Sequence, residues 1–314
     1  MNAGTERGPE LGTVVAGVDG SRSAQRAVFW AAAEAARRRR PLHLVYGADT
    51  DSRMLYASVY SVERIREGGR DLLEETYDKV TERHPGLHVS TELSPHEPVA
   101  SLHAAVADSG TLVVGSRGLG GFESLLLGSV GLKVAAGAKT PVVVVRGDEN
   151  TPEAGIVLAA VRDEHDTEGA RYAASEAELR KSSLRLLHVW SVLESVGEAV
   201  TMLDDVDAVI QVHIRRLTAV AHRIRDEFPA LNVHVDNEQS SSVAGVMVEA
   251  SRHADLLVMG GRRAPGYFGP NLGWATHSLL HHSHCPVELI PRHGKQDEEG
   301  VSLWPWQAAA SSSA

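Results

Sequence analysis

The chain repeats itself at domain size, and this repeat restricts the fold more than any other feature of the sequence. An apolar run at residues 112–114 ends in a glycine, and a similar run at residues 256–259 ends in another. Three landmarks of the first half recur at one constant spacing: Gly115, Gly128 and Pro141 become Gly260, Gly273 and Pro286. An internal duplication accounts for this pattern, and 314 residues are enough for two domains of the same fold.

Each half alternates apolar, strand-like runs with segments of helical period. The strand candidates of the first half are residues 13–18, 42–46, 87–93, 112–115 and 142–145. Those of the second half are residues 156–161, 184–190, 231–235, 256–260 and 287–290. After the first strand, apolar residues follow at helical spacing: Ala24, Ala27, Val28, Ala31, Ala32 and Ala35. This alternation predicts an α/β fold with right-handed crossovers, in which each half forms a doubly wound, open parallel sheet.

Composition divides the chain into five segments. We expect a flexible arm at residues 1–10, a first domain at 11–147, a linker at 148–155, a second domain at 156–293 and a disordered tail at 294–314. The linker is acidic and contains Pro152 and Gly155, which are typical of connections. The tail is polar apart from Trp304 and Trp306.

The composition excludes several classes of partner and compartment. A formal net charge of -10 argues against a nucleic-acid backbone or an anionic membrane as the main partner. The single cysteine, Cys285, excludes an intrachain disulfide and suits a reducing compartment. Glu6 and Glu10 stand where a signal peptide would be basic or apolar, and no apolar run is long enough to span a membrane. We therefore expect a cytoplasmic protein.

A glycine-rich turn follows the fourth strand of the first half and indicates a phosphate-binding loop. The turn consists of Gly115, Ser116, Arg117, Gly118, Leu119, Gly120 and Gly121, and a helix then opens with Gly128, Ser129 and Val130. Glycines let backbone N–H groups approach an anion, and the start of the helix adds unpaired N–H groups and the positive end of its dipole. Ser129 is placed to cap this helix and to donate its hydroxyl to a phosphate oxygen.

The turn does not fit the common motifs for dinucleotides, nucleotide hydrolysis or nucleophilic catalysis. It follows the fourth strand rather than the first and has no nearby acidic residue for a ribose, which excludes the Rossmann dinucleotide motif. The lysine of a G-x4-G-K-[ST] loop is absent. Ser116 and Ser129 have no neighbouring histidine in the sequence. The residues favour binding over turnover, and we assign no catalytic residue.

The spacing Gly115-x2-Gly118-x9-Gly128-Ser129 resembles the nucleotide-binding motif of the ATP-binding branch of the universal stress protein family. It matches every glycine of that motif and the closing serine, whereas Gly131 departs from the Ser or Thr that the family often has there. The resemblance extends over residues 13–292 and is to the tandem, two-domain type. It implies the Rossmann-like fold of the adenine nucleotide alpha hydrolase group, with strand order 3-2-1-4-5 in each domain.

The same resemblance implies where a nucleotide would bind. With strand order 3-2-1-4-5, the crevice lies between strands one and four, beyond their carboxyl ends. Gly17 and Asp19 would approach the nucleoside, with Asp19 accepting a hydrogen bond, and Leu44 and Val45 would border the adenine. The ribose and phosphates would be surrounded by Gly115, Ser116, Arg117, Gly118, Leu119, Gly120, Gly121, Gly128, Ser129 and Val130.

Structural roles stay open for the same residues. Gly115 and Gly118 would also suit a tight turn without any ligand. Asp19 would suit a cap on the following helix, as would Ser21 or Ser23. Arg117 would suit a solvated position in a loop.

The second half is altered at the positions that matter most for a nucleotide. Three replacements stand out: Asp19 aligns with Arg162, Gly118 with Arg263 and Ser129 with Trp274. A β-carbon at residue 263 forbids a positive φ or blocks close backbone approach, and Trp274 is expected to fill the mouth of the cradle. Arg162, Arg262 and Arg263 still offer positive charge to a phosphate, but a degenerate site is the favoured interpretation.

Two further polar clusters have both a functional and a structural interpretation. His277, His281, His282, His284 and Cys285 stand together, and the first two share a helical face, as a metal site requires. No distant ligand accompanies them, so a polar helix end is favoured and no metal site is assigned. The arginines at 37–40 suit either an anion-binding patch or a solvated helix end, and the latter is favoured in an acidic chain.

The function that the resemblance implies is an ATP-binding sensor or regulator in stress or dormancy responses, with Mg²⁺ accompanying ATP. We expect binding without efficient turnover, so the chain is more a regulator than an enzyme. One alternative is slow Mg²⁺-dependent ATP hydrolysis or phosphoryl transfer in the same cradle, and another is a structural module that mainly dimerises. The apolar edge strands at 142–145 and 287–290 predict edge-to-edge pairing of the halves or a homodimer, and a regulatory protein partner is expected.

Overall fold

A computed structural model of the chain describes residues 12–54, 57–106, 110–118, 128–147, 152–191, 206–260 and 272–291. These residues form two compact units, of which the first ends at Val145 and the second begins at Arg146. The expected arm at 1–10, residues 148–151 of the expected linker and the expected tail at 294–314 lie outside the described residues. None of the helices in the described ranges is long and apolar enough to cross a membrane.

The first unit alternates strands and helices along the chain. Its elements are β1 (Val14–Gly17), α1 (Arg22–Arg38), β2 (Leu42–Gly47), α2 (Thr50–Arg53), α3 (Val59–Arg83), β3 (Val89–Ser94), α4 (Pro98–Ala105), β4 (Thr111–Gly115), α5 (Ser129–Gly137) and β5 (Val142–Val145). The strands are parallel and lie in the order β3-β2-β1-β4-β5. This order confirms the predicted fold class.

Small apolar residues bring α1 close to the sheet. The positions predicted to be apolar on this helix are all buried: Ala24, Ala27, Val28, Ala31, Ala32 and Ala35. All of them except Ala24 pack with the strand residues Val14, Ala16 and Leu44 in one core cluster. Because alanine has the shortest apolar side chain, the helix axis lies near the strands, and this closeness decides what fits at the end of β4.

The helix α3 runs without a break through Gly68 and Gly69, although glycine has a low helix propensity. Gly69 is buried, and a β-carbon there would lie 2.7 Å from Leu93 Cδ1 and 2.9 Å from Tyr46 Cδ1. Gly68 faces open space. Close packing against β2 and β3 thus explains one glycine, and it outweighs the low helix propensity of the pair.

The second unit repeats the same alternation. Its elements are β6 (Ile156–Ala160), α6 (Thr167–Arg180), β7 (Ser183–Trp190), α7 (Val206–Glu227), β8 (Val233–Gln239), α8 (Val243–Ala250), β9 (Leu256–Gly260), α9 (Trp274–His282) and β10 (Val287–Ile290). Parallel strands lie in the order β8-β7-β6-β9-β10, which matches the first unit strand for strand. A short 3-10 turn at Glu164–Asp166 precedes α6 and has no counterpart before α1.

Candidate functional site

Two turns of the first unit meet beyond the carboxyl ends of neighbouring strands. β1 and β4 pair directly, with Ala16 opposite Val113, so the chain leaves both strands at the same edge of the sheet. A β-carbon added to Gly118 would lie 2.9 Å from Asp19 Oδ2. The carboxylate after the first strand therefore faces the glycine turn after the fourth, as the sequence predicted for a site between them.

The Asp19 carboxylate orders its own turn but does not cap the next helix. Its Oδ1 accepts a hydrogen bond from the Ser21 N–H at 2.8 Å. The cap of α1 is Ser21, whose hydroxyl oxygen accepts from the Ala24 N–H at 3.1 Å. Oδ2 of Asp19 makes no hydrogen bond with the residues that the structure describes and points towards Gly118. Half-buried and pre-oriented, this oxygen is available to accept a hydrogen bond from a ligand.

Gly115 lets the end of β4 lie directly against the start of α1. A β-carbon at Gly115 would lie 2.7 Å from both the carbonyl carbon and the carbonyl oxygen of Ser23, which is closer than real β-carbons approach backbone. The Ser23 hydroxyl oxygen accepts from the Arg117 N–H at 3.1 Å and lies 3.4 Å from the Ser116 Oγ. The Ser21 hydroxyl donates to the Arg117 carbonyl at 3.3 Å. The start of α1 thus holds the glycine turn in place.

Ser23 is the residue of this site that the sequence did not reveal. It was considered only as a helix cap, and its role here depends on a contact with Arg117 across 94 positions of the chain. A serine at the second position of a helix gives no signal of such a contact by itself. The glycine at residue 115 indicates that another part of the chain packs closely against this turn, but it does not identify Ser23 as the contacting residue.

The helix α5 begins with an open amino terminus beside the same turn. Gly128 is its N-cap residue, donates its N–H to the Ser116 carbonyl at 2.8 Å and supplies no side chain to cap the helix. Ser129 was expected to cap, but it is the first helical residue and its side chain is exposed. Val130 is exposed beside it. The first turn of α5 therefore offers N–H groups and one hydroxyl outward.

The remaining predicted residues fall into three groups. Gly17 ends β1, and Arg117 is exposed in the turn after β4. Val45 is 1% exposed and belongs to the core, and its carbonyl accepts from the Val18 N–H at 2.9 Å, while β2 continues to Gly47. Leu44 is equally buried. Leu119, Gly120 and Gly121 lie outside the described residues.

In the corresponding turn of the second unit, the charged groups pair with one another. The Val161 N–H donates to the Leu187 carbonyl at 3.0 Å, as Val18 does to Val45, but Arg162 then replaces the acidic residue. The Arg162 N–H donates to Asp166 Oδ2 at 2.9 Å, and its guanidinium lies 3.4 Å from the Asp163 carboxylate. The arginine that was considered as a phosphate ligand is thus already beside an internal anion.

The Asp163 carboxylate finds its hydrogen-bond and charge partners within this turn. Its Oδ1 accepts from the His165 N–H at 2.9 Å, so it caps the 3-10 turn that follows. Burial would raise the pKa of Asp163, but the hydrogen bond from the His165 backbone, the charge of Arg162 and the His165 ring together hold that pKa below its ordinary value. The carboxylate is charged and neutralised within the turn.

Aromatic rings fill the space beneath this turn. His188 Nδ1 lies 2.7 Å from the Val161 carbonyl, so it donates a proton there, and its Nε2 lies 2.8 Å from His213 Nδ1. Trp190 stacks on His213 with ring centroids 4.4 Å apart and an angle of 11°. All three side chains are buried. Burial above all lowers the pKa of His188, and the charge of Arg216 lowers it further. The sequence gave no indication of this cluster.

The helix start of the second unit keeps its backbone but loses its hydroxyl. Gly273 is the N-cap of α9 without a capping side chain, as Gly128 is for α5. Trp274 was expected to fill the mouth of the cradle, but it is 80% exposed and its ring lies in solvent. Ser129, the first residue of α5, is exposed as well, so this helix position faces outwards in both units. Arg262 and Arg263 lie outside the described residues.

The histidines at the end of α9 lie close together with their rings tilted against one another. His277 and His281 lie with ring centroids 4.3 Å apart, and burial and the neighbouring His277, His282 and Arg146 lower the pKa of His281. Within the described ranges, no group of three or more His, Cys, Asp or Glu side chains is arranged to hold a metal ion. Burial raises the pKa of the Cys285 thiol to about 12, so the cysteine is unreactive.

Comparisons with known proteins identify the family and the fold of the chain. A model described as the universal stress protein family matches residues 10–146 and 154–291. Universal stress protein Rv2624c of Mycobacterium tuberculosis is 27% identical over 289 residues, which cover 90% of this chain and 98% of the relative. A universal stress protein of Mycolicibacterium smegmatis is 27% identical over 290 residues, covering 88% and 96%. The crystal structure of a universal stress protein from Archaeoglobus fulgidus superposes with a TM-score of 0.67 at 18% identity, covering 89% and 96%, and shows the same fold.

Proposed function

This chain belongs to the universal stress protein family, with two tandem family domains, and from that premise we propose that its first unit binds ATP. We propose further that the bound nucleotide makes the protein a sensor or regulator in stress or dormancy responses. One observation carries the proposal: the free oxygen of Asp19, the close-packed glycine turn and the open start of α5 lie together at one edge of the first sheet. Such an edge is where doubly wound sheets bind nucleotides.

The residues of this edge suit the parts of ATP in turn. Asp19 Oδ2 would accept a hydrogen bond from the ribose or the base. The N–H groups of the turn that begins at Gly115 and of the first turn of α5 would bind phosphate oxygens, with the Ser129 hydroxyl as a further donor. Arg117 is exposed and contributes positive charge nearby. Mg²⁺ would accompany ATP on its phosphate oxygens and keep several of its waters, so the nucleotide itself would supply most of the protein's hold on this ion.

Bound nucleotide is the direct test of the proposal. The full-length protein is purified without added nucleotide, heated to release its ligands, and the supernatant is resolved by ion-exchange chromatography. We expect adenine nucleotide in an amount comparable with the protein. The same preparation of Asp19→Ala serves as the control, in which the released nucleotide should fall sharply. Protein that neither carries nucleotide nor binds added ATP would contradict the proposal.

Turnover separates a regulator from an enzyme. We expect phosphate release from ATP to stay at the rate of the buffer, with or without Mg²⁺, because none of the site residues that the structure describes is identified as a general base. A Mg²⁺-dependent release that Asp19→Ala abolishes would instead support the hydrolase or phosphotransferase.

A cytoplasmic location, a homodimer and a regulatory protein partner belong to the same proposal. Light scattering on the eluted protein, with and without ATP, tests the dimer.

A further inference from the structure

A cleft of about 660 Å³ lies in the first unit at the amino-terminal end of β2 and β3. One wall is the chain between α1 and β2, and the other is the chain between α3 and β3. The Leu42 N–H joins the walls by donating to the His88 carbonyl at 2.9 Å. β2 runs from this cleft to the opposite edge of the sheet, so the cleft lies roughly 20 Å from the proposed ATP site.

The cleft is lined by positive charge. Three arginines and two histidines contribute to its surface, and none of the described residues that line it is acidic: Arg39, Arg40, Arg83, His84 and His88. The whole chain carries a formal net charge of -10, so this concentration of cations runs against the average. A pocket with charge of one sign concentrates ions of the opposite sign.

The arginine tract at the end of α1 divides between two tasks. Arg37 and Arg38 each donate to the buried carboxylate of Glu34 at 2.6 Å. Arg39 and Arg40 line the cleft instead, and neither forms an ion pair with a residue that the structure describes. Two of the four arginines are therefore internal partners of a buried acid, and the other two are available to a ligand.

Arg83 lines the cleft, and its guanidinium is held against α1. It lies over the ring of Phe29 on α1, 3.7 Å from the ring centroid, in a cation–π contact that leaves its donors free of acidic partners. A guanidinium fixed by a ring loses less rotamer freedom when it binds an anion than one on a mobile side chain. The cation is thus prepared for binding.

The second unit builds the same backbone at this place and serves as an internal control. The Leu184 N–H donates to the Asn232 carbonyl at 2.9 Å, as Leu42 does to His88. The Ser182 N–H donates to the Ala177 carbonyl at 2.8 Å, as Arg40 does to Ala35. The turn after α6 even has the same left-handed residue, with φ 55 at Lys181 against φ 53 at Arg39.

Arg39 keeps a cation at its counterpart, Lys181, but the other basic residues of the cleft are not repeated. Four of the five basic positions change in the second unit: Arg40, Arg83, His84 and His88 become Ser182, Glu227, Phe228 and Asn232. Glu227 binds Arg171 on α6 through hydrogen bonds of 2.6 to 2.9 Å. Arg83 lies over the ring of Phe29 in the first unit, whereas Glu227 at the matching position of the second unit forms an ion pair with Arg171. The fold therefore does not require cations at these helix ends, and their presence in the first unit needs another reason.

We propose that this cleft binds a small phosphorylated molecule, independently of the ATP site at the other end of the sheet. Guanidinium groups match phosphate oxygens in two-pronged hydrogen bonds, and three arginines line this space. Pro41 and Leu87 add apolar surface for the organic part of such a ligand. The volume lies within the range of small-molecule sites.

Titration of the full-length protein with pyrophosphate tests the proposal. Isothermal titration at low salt compares the wild type with Arg40→Gln/Arg83→Gln and with Arg64→Gln, a control that removes an exposed cation from the far end of α3. We expect the double variant to bind at least tenfold more weakly and the control to stay within twofold of the wild type. Wild-type affinity in the double variant, or an equal loss in the control, would overturn the proposal.

Hydrogen exchange on the unmutated protein answers the same question without any variant. Pyrophosphate should slow amide exchange at residues 39–42 and 83–88, but not at the matching residues 181–184 and 227–232. Slowing confined to residues 115–118 and 128–131 would place the anion at the glycine turn. That result would overturn the cleft while leaving the ATP proposal intact. No slowing anywhere would overturn the cleft as well.

Discussion

In both units the chain after the first strand begins with the same backbone hydrogen bond, but the side chains that follow differ. In the first unit Asp19 accepts from the backbone two residues on and turns its second oxygen towards the glycine turn. In the second unit Arg162 lies beside Asp163 and its backbone is bound by Asp166. The backbone was kept after duplication, while the side chains decide whether the turn faces a ligand or itself.

The other end of the sheet teaches the same lesson. The turns that follow α1 and α6 match hydrogen bond for hydrogen bond, yet Arg83 stays available in the first unit while Glu227 is paired with Arg171 in the second. In the parts that the structure describes, the second unit satisfies its polar groups internally at both places. We therefore regard the first unit as the one that binds ligands.

The largest expected effect comes from copying one second-unit residue into the first. Gly118→Arg reproduces Arg263, and its β-carbon would lie 2.9 Å from the carboxylate oxygen of Asp19. We expect ATP affinity to fall by at least about 100-fold, roughly 3 kcal/mol, because the side chain occupies the nucleotide's place. Gly68→Arg, at a glycine that faces open space on α3, is the matched control and should bind normally. An unchanged affinity in Gly118→Arg would remove the distinction between the units.

The next effect concerns the carboxylate that the second unit lacks. Asp19→Ala should weaken ATP binding by about 10- to 100-fold, or roughly 1.5–3 kcal/mol, since a charged hydrogen bond to the nucleoside is lost. Asp163→Ala, in the second unit, should leave the affinity unchanged. Calorimetry measures both. If Asp19→Ala lowers only the melting temperature, its role is confined to the hydrogen bond with Ser21.

A stability effect follows from the close contact at the end of β4. Gly115→Ala would push a β-carbon to 2.7 Å from the Ser23 carbonyl and should cost roughly 1–3 kcal/mol of unfolding free energy. Gly128→Ala is the control, because its β-carbon would meet its neighbours at an ordinary 3.5 Å. Urea unfolding compares the two variants. Equal stabilities would show that α1 does not lie as close to β4 as described.

The smallest expected effect is a pH dependence of stability that arises from His188 in the second unit. Burial holds the pKa of His188 below that of an unfolded histidine, about 6.5. The positive charge of Arg216 lowers this pKa further, whereas the negative charges of Asp163 and Asp166 raise it. The unfolded chain therefore binds the proton first as the pH falls, so this stabilisation is complete above about pH 6.5 and declines below it. His188→Asn should flatten the decline, since an amide still donates to Val161 without titrating. The slope of urea midpoints between pH 7.5 and 5.5 measures it, and equal slopes would contradict the pKa shift.

Local and periodic signals made most of the fold predictable. The valine runs, the alanine face of α1 and the constant offset between the halves predicted the strands and one buried helix face, whereas the order of the strands came from the family resemblance. The sequence also placed Asp19 and Gly118 at one edge, because parallel strands end together.

Contacts between distant residues were not predictable. Ser23 holds Arg117 across 94 positions, and His188 meets His213 through the packing of β7 and α7. The exposure of Trp274 depends on the direction in which a helix starts, which a residue type does not encode. The four arginines looked alike in sequence and differ only because Glu34 is buried beside two of them.

The stoichiometry of ATP binding tests the difference between the units most directly. The full-length wild-type protein, freed of carried-over nucleotide, is titrated with ATP in the presence of Mg²⁺ by calorimetry, and Gly118→Arg is titrated beside it. We predict about one ATP per chain for the wild type and none for the variant. A value near two for the wild type, or about one ATP retained by the variant, would place a nucleotide in the second unit and contradict the account.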